Sequence, residues 1–176
     1  MAVWYEMEKS EKGIENFLGS NWEFHDFRLE KLEYIPGKDC IEIFLKYDTM
    51  DEGVLLRFVR IHNLHLNTNK DCVTEWLSGS IVLLLENNVI IWLDDDEWGR
   101  NTREHLKEAK EYTTWIEAER IFWAITDADG NPVEMPQNRI HQIWNIYGKT
   151  EEKHFELQEF HGDWGLILRP RFNRSP

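Results

Sequence analysis

Cysteine is scarce in this chain of 176 residues, which has only Cys40 and Cys72. The first residues, MAVWYEMEKSEKG, have neither the basic start nor the apolar core of a secretion signal. Two cysteines in a chain without such a signal are typical of reduced thiols rather than of a disulfide. The sequence therefore predicts a cytoplasmic protein.

Positive charge is also in short supply. The chain has 20 Lys and Arg against 33 Asp and Glu, which gives a formal net charge of −13. The only basic cluster is at Arg169, Arg171 and Arg174. Because phosphates would be repelled, this balance argues against binding to nucleic acid or to anionic membranes. It fits a protein that docks on a basic partner.

Long apolar runs and known catalytic motifs are missing as well. Asn87 and Asn88 split the longest apolar run, so no segment is long enough to span a bilayer. There is no HExxH metal motif, nucleophile elbow, glycine-rich phosphate loop or paired CxxC. The sequence therefore predicts neither a bound metal nor another cofactor.

The clearest structural signal is residues 81–93, where the runs IVLLL and VIIWL flank Glu86-Asn87-Asn88. Short β-branched runs predict strands, and Asn87-Asn88 suits a two-residue hairpin turn. That turn pairs Leu85 with Ile90, Leu84 with Ile91, Leu83 with Trp92 and Val82 with Leu93. Since both faces of this hairpin are apolar, we expect it to lie centrally, covered on both sides.

The segments before the hairpin predict one helical region followed by strands. Residues 3–18 have helical spacing, either as one helix interrupted at Gly13 or as a short helix after a tail, with a stop at Gly19. Strands are predicted over 21–35, 40–47 and 54–66, and residues 36–39 form a turn. The alternation breaks near Glu30 and again near Phe58, which indicates a bulge in each strand.

After the hairpin, helices are predicted over 103–111 and within 135–147. Residues 113–126 fit either a helix or a strand, and we favour the strand because DADGN at 127–131 is a hairpin-type turn. Strands over 154–160 and 166–172 close the chain, and Pro170 marks the last as an edge strand.

These segments together predict one domain over residues 1–176 with an α+β, mostly antiparallel β fold. We expect a strongly bent or partly closed sheet of about eight strands with two or three flanking helices.

Carboxylate clusters are the first candidates for chemistry. The run Asp94 to Glu97 is interpreted as a solvated strand end, because neighbours on an extended chain point in opposite directions and do not converge on a cation. The DADGN segment lacks the later ligands of a calcium loop and is interpreted as a turn. Glu117 and Glu119 share one face if 113–126 is a strand, and they are the weak catalytic candidates as an acid/base pair.

Histidines are the second candidates. His25 and Asp26 resemble the pair found in metal phosphohydrolases, but they stand at the head of a predicted strand, where neighbouring side chains face opposite sides. His62 and His65 are three residues apart, which also splits them between the faces of a strand. We interpret all four as structural or surface residues.

The segment Phe24-His25-Asp26-Phe27-Arg28-Leu29 follows a predicted helix and opens a run of antiparallel strands. Over residues 14–93 this arrangement resembles a group of small bacterial proteins of unassigned function, some of which are proposed as immunity proteins of polymorphic toxin systems. The resemblance rests on the F-H-D motif at Phe24 to Asp26, and it implies no catalytic residue.

The sequence as a whole favours a non-enzymatic acidic domain that binds a protein, with an immunity-type inhibitor of a basic toxin as its specific form. A toxin nuclease carries positive charge, and an acidic, aromatic-rich surface complements it. The predicted partner contacts are Asp94, Asp95, Asp96, Glu97, Trp98, Trp115 and Trp164. The alternative is a ligand-binding β domain with an apolar pocket lined by some of the nine Trp and nine Phe. An enzyme that uses Glu117 and Glu119 is the third possibility.

Overall fold

The computed structural model of the chain describes residues 3–21, 24–47, 51–67, 77, 80–85, 87–94 and 110–135, and the backbone of 154–159 and 166–171. One helix, α1 (Glu11–Ser20), is complete within these ranges. The strands are β1 (Tyr5–Glu6), β2 (Phe27–Ile35), β3 (Cys40–Tyr47), β4 (Glu52–His65), β5 (Ile81–Leu84), β6 (Ile90–Leu93), β7 (Trp115–Asp127), β8 (His154–Glu159) and β9 (Leu166–Arg171). No helix in the described ranges is both long enough and apolar enough to cross a membrane.

All the strands belong to one antiparallel sheet in the order β2-β3-β4-β7-β6-β5-β9-β8, and β1 pairs with β7 outside that order. Strands β2 to β7, six in number, form its body. The prediction of a mostly antiparallel sheet is confirmed. The described strands do not close on themselves, because β2 and β8 remain the two ends. The predicted eight strands with two or three helices are not confirmed, and the predicted helices at 103–111 and 135–147 lie almost wholly outside the described residues.

The hydrogen bonds of Leu77 require this sheet to bend. The Leu77 N–H donates to the Phe27 carbonyl at 2.7 Å, and the Asp26 N–H donates to the Leu77 carbonyl at 3.2 Å. Only four peptide units separate Leu77 from Ile81, the start of β5, so the two residues lie within about 14 Å of each other. In a flat sheet β2 and β5 would be five strand spacings apart, or about 24 Å. Because Leu77 is hydrogen-bonded to β2 and lies closer than this to the start of β5, the sheet bends to bring the two strands nearer.

Strand β7 lies at the centre and is covered along both edges. Strand β4 pairs with it from Glu52 opposite Asp127 to His65 opposite Trp115. On the other edge β6 pairs with residues 115–118 and β1 with residues 122–123. The Val133 N–H then donates to the Ile125 carbonyl at 2.8 Å. The interpretation of 113–126 as a strand is therefore confirmed, and the turn at 127–131 follows it as predicted.

The main hydrophobic cluster lies on one face of the sheet. Ile43, Leu56, Trp123 and Tyr5 stand opposite one another across β3, β4, β7 and β1, and the first three are buried. Since directly opposed residues share a face, the clean alternation of β3 places Ile41, Ile43, Leu45 and Tyr47 in the core.

Helix α1 packs on this core through Ile14, Phe17 and Leu18, all of them buried. Burial of each of these side chains contributes about 2 kcal/mol. The helix begins at Glu11 because the Ser10 hydroxyl caps it by accepting a hydrogen bond from the Gly13 N–H at 3.1 Å. Of the two predicted arrangements, the short helix after a tail agrees with the structure and one helix from residue 3 is wrong, since residues 5–6 form β1 and α1 starts at Glu11. The helix ends at Ser20, one residue beyond the predicted stop at Gly19.

Strand β6 of the hairpin is buried on both faces, in line with the prediction: Ile90, Ile91, Trp92 and Leu93 are each at most 1% exposed. Its predicted register is wrong by one residue, because Leu84 pairs with Ile90 and Val82 with Trp92. The Leu85 N–H donates to the Val89 carbonyl, so the connection has three residues, and Asn88 takes the left-handed conformation with φ 66°.

Two irregularities in strand pairing change which residues of a strand lie on the core face of the sheet. The bulge predicted near Glu30 is confirmed by a register shift between Leu29 and Lys31. The slip predicted near Phe58 occurs later, between Ile61 and Asn63, next to the left-handed Arg60 (φ 57°).

The last two strands match their predicted ranges to within a residue. Pro170 does not mark the sheet edge, because β9 lies between β5 and β8. It is tolerated there because β5 pairs only with Leu166 and Ile167, three residues before Pro170.

Candidate functional site

Two of the predicted partner contacts, Asp94 and Trp115, lie within the described residues. Asp94 is half-buried, and its N–H donates to the Thr114 carbonyl at 2.9 Å. Trp115 is only 7% exposed, and its indole Nε1 donates to the Lys110 carbonyl at 2.7 Å. The Trp115 ring therefore offers little surface to a partner. Asp95, Asp96, Glu97, Trp98 and Trp164 lie outside the described residues.

The carboxylates of Glu117 and Glu119 are each held by a different cation. Lys110 Nζ donates to Glu117 Oε1 at 2.5 Å, and both side chains are only 17% exposed. Arg60 Nη1 donates to Glu119 Oε2 at 2.7 Å, while His62 Nε2 lies 3.5 Å from Glu119 Oε1. The hydrogen bond from Arg60 is the main cause that lowers the pKa of Glu119. A carboxylate held in its charged form in this way is poorly suited to act as a general acid.

His25 and Asp26 lie in a turn rather than at the head of a strand, which corrects the sequence interpretation. Asp26 has φ 63° and Phe24 has φ 58°, and this left-handed backbone lets His25 Nδ1 and Asp26 Oδ2 meet at 2.9 Å. Both side chains are exposed, while Phe24 and Phe27 on either side of them are fully buried. The motif thus serves as an anchored turn that leads from α1 into β2.

His62 and His65 have separate surroundings. His62 contacts Glu119, whereas His65 Nδ1 lies 2.8 Å from the Thr113 carbonyl and its ring lies 6.3 Å from that of Trp115. Within the described ranges no group of three or more His, Cys, Asp or Glu could hold a metal ion. Cys40 is a free, buried thiol whose pKa is raised by burial, which makes it a poor nucleophile. Cys72 lies outside the described residues.

The described aromatic side chains of the core contact one another. The Phe24 ring centroid lies 5.8 Å from that of Phe27 and 6.5 Å from that of Trp92, and Trp92 lies 5.7 Å from Phe58. Phe17 lies 6.3 Å from Trp123. These rings fill the core against each other, so the described aromatics do not favour the ligand-pocket alternative.

Most of the described cations are neutralised within the chain, which leaves acidic surface uncovered. Each of the following forms an ion pair with a glutamate: Arg28, Lys31, Arg57, Arg60, Lys110 and Arg120. The remaining Lys and Arg whose side chains are described are Lys9, Lys12, Lys38 and Lys46. The excess negative charge therefore stays on the surface rather than being cancelled by local pairs.

Carboxylates collect where β4 begins and β7 ends. Glu52 stands directly opposite Asp127, Asp51 precedes Glu52, and Asp129 and Glu134 follow in the turn and return of the chain. We call these residues the acidic end: Asp51, Glu52, Asp127, Asp129 and Glu134. For Asp51, Asp129 and Glu134 the described part of the chain provides no ion-pair partner, and all three are exposed. The nearest described cation by register is Lys46, opposite Gly53.

Asp127 is built into the turn of the acidic end. Its Oδ1 accepts hydrogen bonds from the N–H groups of Asn131 at 2.9 Å and Asp129 at 3.0 Å. The hydrogen bond from the Asn131 backbone is the largest cause that lowers the pKa of Asp127. The Asp127 carboxylate therefore stays charged to a lower pH than that of an ordinary aspartate.

The acidic end lies outside the predicted partner contacts, although the sequence predicts a turn at DADGN. The missing information was the pairing of β4 with β7, which brings Glu52 beside Asp127, at the start of the turn that carries Asp129. The sequence signal available was that each of two acidic segments adjoins a predicted strand end.

Comparison of the chain with family models, with curated proteins and with solved structures found no match.

Proposed function

We propose that this chain is a non-enzymatic, cytoplasmic binding domain for a basic protein. The observation that carries the proposal is the acidic end, where Glu52 of β4 stands opposite Asp127 of β7 and the exposed Asp51, Asp129 and Glu134 adjoin these strand ends, on a chain of net charge −13. Such a surface attracts a basic partner over a Debye length and orients it for docking. The separate pairing of Glu117 and Glu119 with their own cations supports a binding role over an acid/base role.

The specific form of the proposal is an immunity-type inhibitor of a basic bacterial toxin. A nuclease toxin needs positive charge to hold phosphates, and an acidic protein can cover that charge. The anchored turn at His25 and Asp26 belongs to the F-H-D motif, Phe24 to Asp26, on which the resemblance to candidate immunity proteins rests. Its exposed side chains lie on the surface, while its phenylalanines belong to the core.

Affinity capture tests the general proposal. The immobilised chain is exposed to lysate of its native cell, and bound proteins are released with increasing salt and identified by mass. We expect a basic protein whose purified form binds directly, with an affinity that falls as salt rises. Binding that is indifferent to salt would contradict the role of charge.

A pair of charge variants locates the contact. One variant carries Asp51→Asn, Asp129→Asn and Glu134→Gln, which neutralise three exposed carboxylates of the acidic end. The control carries Glu8→Gln, Asp39→Asn and Glu111→Gln, which remove the same charge from exposed positions elsewhere. We expect the first variant to bind the partner about tenfold more weakly than the control. Equal weakening would mean that net charge alone, and not the acidic end, holds the partner.

Coexpression tests the toxin form separately. The captured protein is expressed in a bacterial host with and without this chain, and growth is measured. Growth arrest that the wild-type chain relieves, and that the acidic-end variant relieves less well, would support the inhibitor. A captured protein that is harmless alone would leave a binding domain of another kind.

A further inference from the structure

The outer edge of β2 has exposed side chains and, from Leu29 onward, no paired strand among the described residues. Strand β3 pairs with one edge of β2, and Leu77 holds Phe27 on the other. In the described part of the chain nothing pairs with the outer edge from Leu29 to Ile35. The exposed fractions agree, since Leu29 is 37% and Tyr34 is 55% exposed.

This edge strand has one apolar side and one charged side. Leu29, Leu32 and Tyr34 stand opposite the core residues Leu45, Ile43 and Ile41 of β3 and therefore lie on the core face. Lys31 and Glu33 stand opposite Phe44 and Glu42 on the other face. Their side chains are 65% and 50% exposed, and Lys31 Nζ donates to Glu33 Oε2 at 2.6 Å.

We propose that this edge pairs with the same edge of a second copy of the chain. Antiparallel pairing about a two-fold axis through Leu32 brings the two Leu32 residues together and sets Lys31 opposite Glu33 of the second copy, twice. Because the bulge adds one residue at Glu30, Leu29 then stands opposite Tyr34 of the second copy. Every apolar residue of the central edge meets an apolar residue, and each of these charges meets its opposite.

Neighbouring registers lack this complementarity. A two-fold axis placed one residue earlier opposes Lys31 to Lys31, and an axis placed one residue later opposes Glu33 to Glu33. Like charges directly opposed on a sheet are destabilising, so the charges select the register centred on Leu32.

The resulting dimer is weak and its affinity rises with salt. One pair of edge strands buries less surface than a standard interface, so we expect dissociation constants in the micromolar range or above. Each copy has a net charge of −13, and salt screens the repulsion between the two copies. This salt dependence is opposite to that expected for a basic partner, so the dimer stands or falls independently of the proposed function.

Sedimentation velocity on the full chain tests the dimer with charge-reversal variants. Lys31→Glu places two carboxylates opposite each other at each contact, and Glu33→Lys places two ammonium groups there. Each variant should therefore dimerise at least about tenfold more weakly than the wild type. An equimolar mixture of the two variants should form a heterodimer, because the charges of one variant then meet their opposites on the other. The double variant Lys31→Glu, Glu33→Lys should dimerise like the wild type.

Controls match the charge changes elsewhere on the surface. Lys12→Glu and Glu111→Lys alter exposed residues away from β2 by the same charge and should leave dimerisation within about twofold of the wild type. A wild-type chain that stays monomeric up to millimolar concentration in high salt would overturn the proposal and leave the edge to a strand of another protein. Single variants that dimerise as well as the wild type, or a mixture that forms no heterodimer, would overturn it too.

Discussion

The Arg120 guanidinium donates two hydrogen bonds to the Glu6 carboxylate, from Nε at 2.6 Å and from Nη2 at 2.7 Å. This contact joins residues 114 positions apart and fastens the two-residue strand β1 to the edge of β7. The Tyr5 ring, 4.9 Å from that of Trp123, and the Trp4 ring, 4.0 Å from the Arg57 guanidinium, secure the same segment. Side chains therefore hold β1 in a place where its backbone makes few hydrogen bonds.

Removal of this contact should make the free energy of unfolding fall less steeply as the pH is lowered into the acid range. The hydrogen bond from Arg120 is the largest cause that lowers the pKa of Glu6 in the folded chain. A depressed pKa stabilises the fold above the unfolded value of about 4.3, and the stabilisation is lost as pH falls through the folded pKa. Since Glu6 is nearly half exposed, Glu6→Gln should cost at most about 1 kcal/mol at neutral pH and nothing at pH well below the folded pKa.

Urea unfolding of the wild type and of Glu6→Gln across that pH range measures the difference. Glu8→Gln is the control, because Glu8 is exposed and neighbours the same strand. A loss of stability in Glu6→Gln that persists undiminished in acid would show that the charge is not responsible.

Local pattern was enough to predict the strands that have a regular alternation. Residues 40–47 alternate in the sequence and in burial, and the broken phase around Glu30 corresponds to a real bulge. The strand at 113–126 was predictable because the turn at 127–131 has its own sequence signature. These features depend on contacts within a strand or between sequence neighbours.

Features set by distant contacts were not predictable in the same way. The two residues of β1 have no periodicity, and the segment pairs with β7 only because β6 starts at Ile90, opposite Ala118, and leaves the edge of β7 beyond Ala118 uncovered. The hairpin register changed by one residue because the left-handed residue Asn88 closes a three-residue connection. The acidic end depends on the pairing of Glu52 with Asp127, which no local pattern reports.

The ion pair between Lys110 and Glu117 should contribute more than a surface pair, because both side chains are only 17% exposed. Lys110 Nζ also lies 4.0 Å from the centre of the Trp115 ring. Lys110→Met keeps the apolar stem but leaves the Glu117 carboxylate without this cation, so we expect a loss of about 1–3 kcal/mol. In a thermodynamic cycle with Glu117→Gln, measured by urea unfolding, the double variant should lose less than the sum of the singles. Strictly additive losses would mean that the two side chains do not interact.

The two glycines of α1 should respond to alanine with opposite signs. No heavy atom lies within 4 Å of a Cβ built on Gly19, so Gly19→Ala should stabilise the chain by about 0.5–1 kcal/mol through its higher helix propensity. A Cβ on Gly13 would meet the backbone oxygen and the Cβ of Glu8 well inside van der Waals contact, so Gly13→Ala should destabilise it. Thermal unfolding of both variants gives the comparison, and stabilisation by Gly13→Ala would contradict the close approach of residue 8 to the helix.

The hairpin turn offers an equivalent pair at Asn87 and Asn88. Asn88 has φ 66°, a conformation that glycine adopts without the steric cost borne by other residues, so Asn88→Gly should stabilise the chain by about 0.5–1 kcal/mol. Asn87 has no positive φ, and its Oδ1 accepts a hydrogen bond from the Val89 N–H at 3.2 Å. Asn87→Gly should therefore destabilise the chain by about 1 kcal/mol, through the lost bond and the freer unfolded backbone.

Asn88→Val is the complementary test, since a β-branched residue in the left-handed region should cost more than either glycine variant gains or loses. Thermal unfolding of the three variants gives the comparison. If Asn87→Gly proved to be the stabilising change, the left-handed residue would stand at position 87, and the three-residue connection would be contradicted.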